Sequence, residues 1–368
     1  MNGPIIIAAG GTGGHLFPAL ALAEALLARG FAVAIMTDPR TAAKARELFT
    51  AGKVHVLPGA GIAGRGAWRA AGAVLALARG GQAARKIMRT DRPMAVIGFG
   101  GYPSVAPVLA ARSLRPRPAI LLHEQNAVLG RANRLLARFA DALALSFATT
   151  KFVPNHIAPR ITGNPLRGAI LAARANEYHP PVAGPIHLLV LGGSLGARVF
   201  SEVVPGALTK LDPVLRERLI VTQQARADSV EQLRTFYRKH HINAEVAPFF
   251  TDVAGLLART HLVISRSGAS SIAELTTTGR PSILVPLPGA IDDHQTENCR
   301  DLVQHQGAIW IPQPMFNQDM LATTLAELLA DPTKLAAMAQ SARAQALPDA
   351  ASTLADLVQA TINQRMAA

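Results

Sequence analysis

Twice in this chain an apolar strand runs directly into a glycine-rich turn and then into a helix-like stretch. Ile5-Ile6-Ile7-Ala8-Ala9 leads into Gly10-Gly11-Thr12-Gly13-Gly14-His15, and His187-Leu188-Leu189-Val190-Leu191 leads into Gly192-Gly193-Ser194-Leu195-Gly196-Ala197. Such a turn brings backbone N–H groups close to an anion at a helix N-terminus, where the helix dipole is positive. Two copies about half the chain apart predict an α/β protein of two Rossmann-like domains, their parallel sheets facing across a cleft. That architecture suits an enzyme that handles phosphorylated ligands.

Apolar runs alternate with helical patterns throughout, as a parallel sheet covered on both faces requires. Strands are predicted at 4–9, 31–37, 53–57, 94–99, 118–123 and 142–146, with helices such as 18–29 and 102–112 between them. A second series follows at 186–191, 219–222, 244–247, 262–265, 282–286 and 308–311, and residues 352–365 read as a closing helix. Ile161-Thr162-Gly163-Asn164-Pro165 reads as the crossing between domains, because Gly and Asn-Pro break regular structure. The predicted division is 1–163, with the helix at about 350–368 packing back on it, and 164–349.

The 368 residues suffice for two cores, and 49% hydrophobic with 17% charged residues describes a globular chain. Its one cysteine, Cys299, has no internal partner, which fits a reducing compartment. Met1-Asn2-Gly3-Pro4 precedes the first strand directly, so no signal peptide is expected. No apolar run approaches the roughly 20 residues that span a bilayer, so a soluble or peripheral protein is expected.

The net charge of +13 is unevenly divided. Residues 1–163 hold 20 Lys and Arg against 6 Asp and Glu, whereas residues 164–368 hold 17 against 18. Between Glu47 and Asp91 there is no acid, while Lys53, Arg65, Arg69, Arg79, Arg85, Lys86 and Arg89 lie among Ile62, Trp68, Val74, Leu75, Leu77, Ile87 and Met88. Basic and apolar residues mixed in this way suit an anionic membrane surface. The alternative is a solvated helix face above ordinary core residues. With 5% aromatics and no binding module, nucleic acid is not an expected partner.

Several polar groups fall at predicted strand ends, where open α/β sheets bind ligands. His15 stands at the first turn with a pKa near working pH, so it is a candidate proton acceptor or diphosphate ligand; a helix-capping role is the alternative. Asp38, ending the second strand, permits a dinucleotide reading in which it would hold a ribose. Gly98-Phe99-Gly100-Gly101-Tyr102-Pro103-Ser104 supplies another turn, and Glu124-Gln125-Asn126 another polar edge. In the second half, Arg266-Ser267-Gly268-Ala269-Ser270-Ser271 opens a helix bearing Glu274, which suits a ribose diol. Asp292-Asp293-His294-Gln295 invites a metal reading, but the chain has no Asp-x-Asp and no further ligand cluster, so no metal is expected.

In order, these segments resemble the MurG family of membrane-associated bacterial glycosyltransferases. The matching pieces are the turn at 10–15, Gly100-Gly101-Tyr102, His123-Glu124-Gln125-Asn126, Gly163-Asn164-Pro165-Leu166-Arg167, the turn at 192–197, Arg266-Ser267-Gly268-Ala269 through Glu274, and His294-Gln295. The resemblance implies a GT-B fold and transfer of N-acetylglucosamine from UDP-GlcNAc to the C4 hydroxyl of lipid I, an undecaprenyl-diphospho-muramyl-pentapeptide. It implies inverting chemistry with no cofactor or metal. Ser194, Ala269, Ser270 and Ser271 would meet the UDP diphosphate, Glu274 the ribose, Phe250 the uracil and Gln295 the sugar hydroxyls. Arg167 would lie near the leaving phosphates, and Thr12, Gly13, Gly14 and Asn126 would reach sugar and acceptor. His15 is the expected base, with Glu124 as the alternative. The resemblance also implies a peripheral place on the cytoplasmic face of the inner membrane, with other cell-wall synthesis and division proteins as partners.

Thr222-Gln223-Gln224-Ala225, Phe250-Thr251-Asp252-Val253 and Ser270-Ser271 depart from the family pattern, all on the nucleotide side. Three other readings remain open at this level: a related GT-B enzyme such as a UDP-GlcNAc 2-epimerase, a nucleotide-sugar-binding membrane scaffold, and an NAD-dependent dehydrogenase.

Overall fold

The structure, a computed structural model, describes residues 3–58, 67–193 and 196–367, with residues 67–71, 73 and 74 described by their backbone alone. It divides into two compact units, Met1–Arg167 with Leu347–Ala368, and Gly168–Ala346.

The first unit runs β1 (Ile5–Ala8), α1 (Gly13–Ala28), β2 (Val33–Thr37), α2 (Ala42–Leu48), β3 (Lys53–Val56), α3 (Ala67–Asp91), β4 (Ala95–Gly98), α4 (Gly101–Arg112), β5 (Ala119–Glu124), α5 (Arg131–Leu136), β6 (Ala142–Leu145) and β7 (Pro159–Ile161). Its seven strands are all parallel in the order β3-β2-β1-β4-β5-β6-β7, so the winding reverses between β1 and β4. A crevice for a ligand opens at the carboxyl ends of the strands beside such a reversal.

Alternate residues of the central strands feed opposite faces. Ile6, Met36, Val96, Ile120 and Leu122 pack under Ala84 and Met88 of α3, Val105 and Val108 of α4 and Leu136 of α5. Ile5, Ile7, Ile35, Ile97 and Leu121 pack under Leu16, Leu20 and Leu26 of α1. Gly80 brings α3 close to its neighbours. A Cβ there would stand 2.7 Å from the Pro58 carbonyl oxygen and 3.4 Å from the Ala106 Cβ.

The second unit runs α6 (Gly168–Ala173), β8 (Ile186–Leu191), α7 (Arg198–Thr209), α8 (Pro213–Glu217), β9 (Leu219–Gln224), α9 (Val230–Lys239), β10 (Asn243–Ala247), α10 (Val253–Arg259), β11 (Leu262–Ser265), α11 (Ala269–Thr278), β12 (Ser282–Leu284), α12 (His294–Gln304), β13 (Ala308–Trp310), α13 (Gln318–Leu329) and α14 (Pro332–Ala344). Its six parallel strands follow the order β10-β9-β8-β11-β12-β13, reversing between β8 and β11. The chain then returns to the first unit as α15 (Ala350–Ala367), whose Leu354, Val358 and Ile362 complete the core beneath α1. Arg29 of α1 fixes it through the Ser352 hydroxyl at 2.8 Å and the Asp356 carboxylate at 2.7 Å.

Two Rossmann-like parallel-sheet domains are therefore present as expected, and every predicted strand is found within two residues at either end. Two local expectations differ. The first helix begins at Gly13, not Pro18, so Pro18 lies inside it and residues 13–15 form its first turn. β7 was read as part of the domain crossing because it carries Pro159 and exposes all three residues; it is an edge strand, where a missing N–H is tolerated. Among the described residues no helix is long and apolar enough to cross a membrane. Trp68 and Arg69, central to the membrane-surface reading, have side chains outside the described set, and Ile62 and Arg65 lie outside the described residues altogether.

Candidate active site

In the first unit the polar groups gather where β1, β2, β4 and β5 end. Gly10 lies so close to its surroundings that a Cβ would meet Thr37 Oγ1 at 2.9 Å and Thr41 Oγ1 at 3.0 Å. Gly11 has φ +83°, a conformation that only glycine adopts without strain. Thr12 is the N-cap of α1, and its hydroxyl pairs with His15 Nδ1 at 3.1 Å. The amides of the first turn have no acceptor within their own helix. His15 is half-buried, and its ring edge faces Gly101, where a Cβ would stand 3.6 Å from Cε1 and 3.8 Å from Nε2.

Two guanidinium groups flank this turn. Arg40 Nη2 lies 3.7 Å from where a Gly11 Cβ would be. Arg167 stacks over the Phe17 ring at 4.8 Å, and Phe17 in turn lies against Gly13. Arg167 was expected in the donor domain; the structure packs it with the first unit. Sequence reasoning missed Arg40, whose only signal was a basic residue two positions after a strand-ending acid.

Asp38 does not fit the dinucleotide reading. Its buried carboxylate accepts from the Arg40 amide, the Arg40 guanidinium, the Thr41 amide and the Thr41 hydroxyl, which leaves nothing for a ribose. Burial alone would raise its pKa, but these bonds, the Arg40 side chain foremost, hold it below the ordinary value.

Glu124, the alternative base, is similarly committed. Oε1 accepts from the Asn126 amide and Nδ2, both at 3.1 Å; Oε2 accepts from the Gly130 amide at 2.8 Å and Asn133 Nδ2 at 2.9 Å. The residue is 3% exposed. Four donors on a buried carboxylate make it the organiser of the Asn126 loop, which argues against proton abstraction and corrects the expectation of a catalytic Glu124. Next to it, fully buried His123 donates Nε2–H to the Gly163 carbonyl at 3.0 Å, and its Nδ1 accepts from Gln125 Nε2 at 2.8 Å. Desolvation lowers its pKa to about 4, so it is neutral.

The second unit has a comparable rim. Gly192 allows no side chain, since a Cβ would sit 2.2 Å from the Ala197 amide nitrogen; Ser194 and Leu195 lie outside the described residues. Gln224 links this turn to the strand beside it, accepting from the Gly192 amide at 3.2 Å and donating to the Pro248 carbonyl at 3.2 Å. Half-buried Phe250 follows β10 on the same edge. At the end of β11, Gly268 caps α11 with no side-chain bond, and Ala269, Ser270 and Ser271 form the first turn. The Ser270 hydroxyl is buried without a hydrogen-bond partner. Glu274 stands half-buried one turn further on.

Arg266 holds the β11 end to its neighbour, donating to the Val285 and Pro286 carbonyls at 3.0 and 3.1 Å and to Gln313 Oε1 at 2.7 Å. Gln295 begins α12, and its Oε1 accepts from the Leu287 amide at 2.9 Å. Between them Asp292 and Asp293 have φ of 53° and 52°, consecutive strained positions of the kind that cluster at ligand sites. Arg266 and Gln224 went unassigned in the sequence reading because their roles depend on contacts between strands that are distant in the chain. Among the described residues no group of three or more His, Cys, Asp or Glu could hold a metal ion.

Thus the structure brings Thr12, Gly13, Gly14, His15, Asn126 and Arg167 to the first unit's strand ends. It brings Phe250, Ala269, Ser270, Ser271, Glu274 and Gln295 to the second's.

Residues 5–145 match the glycosyltransferase family 28 N-terminal domain, and residues 187–354 match the glycosyltransferase family 28 C-terminal domain. A protein of Granulibacter bethesdensis, named UDP-N-acetylglucosamine--N-acetylmuramyl-(pentapeptide) pyrophosphoryl-undecaprenol N-acetylglucosamine transferase, is 54% identical over 361 residues, covering 98% of this chain and 94% of that protein. Its namesake in Acidiphilium cryptum is 49% identical over 366 residues, covering 100% and 99%. The crystal structure of Acinetobacter baumannii MurG superimposes with a TM-score of 0.77 at 30% identity, covering 97% of this chain and 99% of that one. A Listeria monocytogenes structure described as a UDP-N-acetylglucosamine 2-epimerase reaches a TM-score of 0.68 at 14% identity, covering 96% and 94%, and shares the fold alone.

Proposed function

Because this chain belongs to the MurG family of N-acetylglucosamine transferases, built from the two family 28 domains, we propose that it transfers N-acetylglucosamine from UDP-GlcNAc to the muramyl C4 hydroxyl of lipid I. The observation that carries this reading is identity of about half over nearly the full length of both chains. The two rims supply chemistry that suits it.

The second unit would hold the donor. The first-turn amides of α11 and the Ser270 hydroxyl offer donors to the diphosphate, as Ser194 does from the turn after β8. Glu274 would accept from the ribose, Phe250 would lie beside the uracil, and Gln295 would meet the sugar with its amide nitrogen while its oxygen holds the 287 loop. The first unit would hold the acceptor, its diphosphate drawn by Arg40, Arg167 and the turn at Gly13 and Gly14, with Asn126 on the sugar.

With Nδ1–H donated to Thr12, His15 Nε2 keeps its lone pair and takes the proton of the C4 hydroxyl. That oxygen bonds to the anomeric carbon as the bond to UDP breaks, inverting the configuration to β, and the leaving charge rests on the donor-site amides. The dehydrogenase alternative loses its ribose ligand with Asp38.

An anionic bilayer surface, the cytoplasmic face of the inner membrane, fits the first unit. In the described part of α3, Arg79, Arg85, Lys86 and Arg89 are exposed, and Leu75 is 52% exposed. The α5 region adds Arg134 stacked on the exposed Phe152 ring at 4.1 Å.

The stereochemistry and metal independence are directly testable. Given UDP-GlcNAc and a short-chain lipid I analogue in EDTA, the purified protein should release UDP and form a β-linked disaccharide, read from the anomeric proton coupling. An α-linked product, or activity lost in EDTA and restored by a divalent ion, would overturn this mechanism.

A further inference from the structure

The first unit contains a hollow that the reaction as described leaves unused. It lies at the strand ends on the β2 and β3 side of the glycine turn, measures about 280 Å³ counted to its open mouth, and is lined chiefly by Leu57, Pro58, Leu77, Pro103 and Ala106. Thr37, Asp38 and Tyr102 form its polar end. The carboxylate there is saturated by Arg40 and Thr41, so a cationic ligand finds no acceptor in it. The remaining wall offers hydrocarbon.

Its position narrows what it can take. The polar end abuts the glycine turn, for Gly10 touches Thr37 and Pro103, two of the lining residues. The opposite wall is Leu77 of α3, the helix whose exposed basic residues suit an anionic surface. A ligand with a diphosphate at the turn and a hydrocarbon tail leading toward α3 would pass over this hollow.

The walls are firm. Gly80, one helical turn past Leu77, seats α3 against the Pro58 carbonyl and Ala106 with no room for a side chain, so the gap between α3 and α4 is set by backbone contact. Burial raises the pKa of the Tyr102 hydroxyl, which therefore remains a neutral donor at the mouth.

The geometry points to a subsite for the first isoprene unit of the acceptor, the branched hydrocarbon bonded to the diphosphate. This rests on the acceptor being a prenyl diphosphate, as proposed above. A branched unit that fills an apolar hollow gains affinity through buried area, and a few methylene equivalents amount to at least about a tenfold effect. The subsite would let the enzyme recognise the lipid at its head, independently of the long tail left in the bilayer.

Binding separates this subsite from turnover. Geranyl diphosphate and methyl diphosphate serve as probes, titrated calorimetrically into the full-length protein without donor. The unaltered protein should bind the geranyl compound at least about tenfold more tightly. Ala106→Leu, which fills the hollow, and Leu77→Asn, which makes its wall polar, should each bring that ratio near one while leaving the dissociation constant for UDP-GlcNAc unchanged. The second variant adds no bulk, so a packing fault in the first does not decide the matter. A ratio near one in the unaltered protein, or a ratio that both variants preserve, overturns the subsite. If the ratio behaves as expected but no sugar is transferred to lipid I, the proposed activity fails and the subsite stands; transfer with an insensitive ratio means the converse.

Discussion

Replacing His15 by Ala should lower kcat by about 10²- to 10⁴-fold, the range that positioned general bases contribute, and leave the dissociation constant of UDP-GlcNAc essentially unchanged. The reasoning is geometric. His15 sits in the first turn of α1 with Nδ1 tied to Thr12, and its Nε2 edge faces Gly101, which has no side chain to cover it. The nucleotide groups are all on the other unit, so the loss should fall on the chemical step. The acid limb of the kcat–pH profile should disappear with the imidazole.

Glu124→Gln provides the contrast. An amide cannot accept the four bonds that the carboxylate accepts, because its NH₂ would face a donor. The Asn126 loop should shift and kcat fall, with the acid limb retained. If the limb vanished in Glu124→Gln and persisted in His15→Ala, the two residues would exchange roles.

The second large effect is on stability. His123 is fully buried with a pKa lowered to about 4, against 6.5 when exposed to water. Between these values the unfolded chain binds a proton that the folded chain refuses. Stability from this group is therefore complete above pH 6.5 and declines as the pH falls toward 4. The expected loss between pH 7 and pH 4 is about 3 kcal/mol.

Protonation would place an N–H on Nδ1 against the Gln125 amide that now donates to it. The other ring nitrogen holds Gly163, a residue at φ +80° packed against Leu347 and Ala350 where the chain returns to this unit. Hydrogen-exchange protection of the β5 amides should fall over this range in the unaltered protein, and His123→Gln should remove that component. An unchanged pH dependence in the variant would show that other groups are responsible.

The strands were legible because parallel strands buried on both faces are continuous apolar runs, and Ile5–Ala8 or Leu262–Ser265 hardly allows another reading. The glycine turns were legible because their constraint is local: only glycine fits at Gly10 and Gly192. What escaped depends on groups distant in sequence. Asp38 and Glu124 look like strand-end ligands until their acceptors are seen to be filled by the following loop. Arg266 gains its place from carbonyls 19 and 20 residues later. β7, three exposed residues with a proline, carries no periodic signal. The charge imbalance was legible as a sum, but the sequence does not say which basic residues share a face.

The central claim is tested most directly by the fate of a labelled sugar. UDP-GlcNAc labelled in the hexosamine is mixed with the purified protein and a lipid I analogue, and the lipid and nucleotide fractions are separated. Label should move into the lipid as one N-acetylhexosamine per acceptor, with one UDP released for each. Label that stays with the nucleotide, unchanged or as the 2-epimer, would contradict the account.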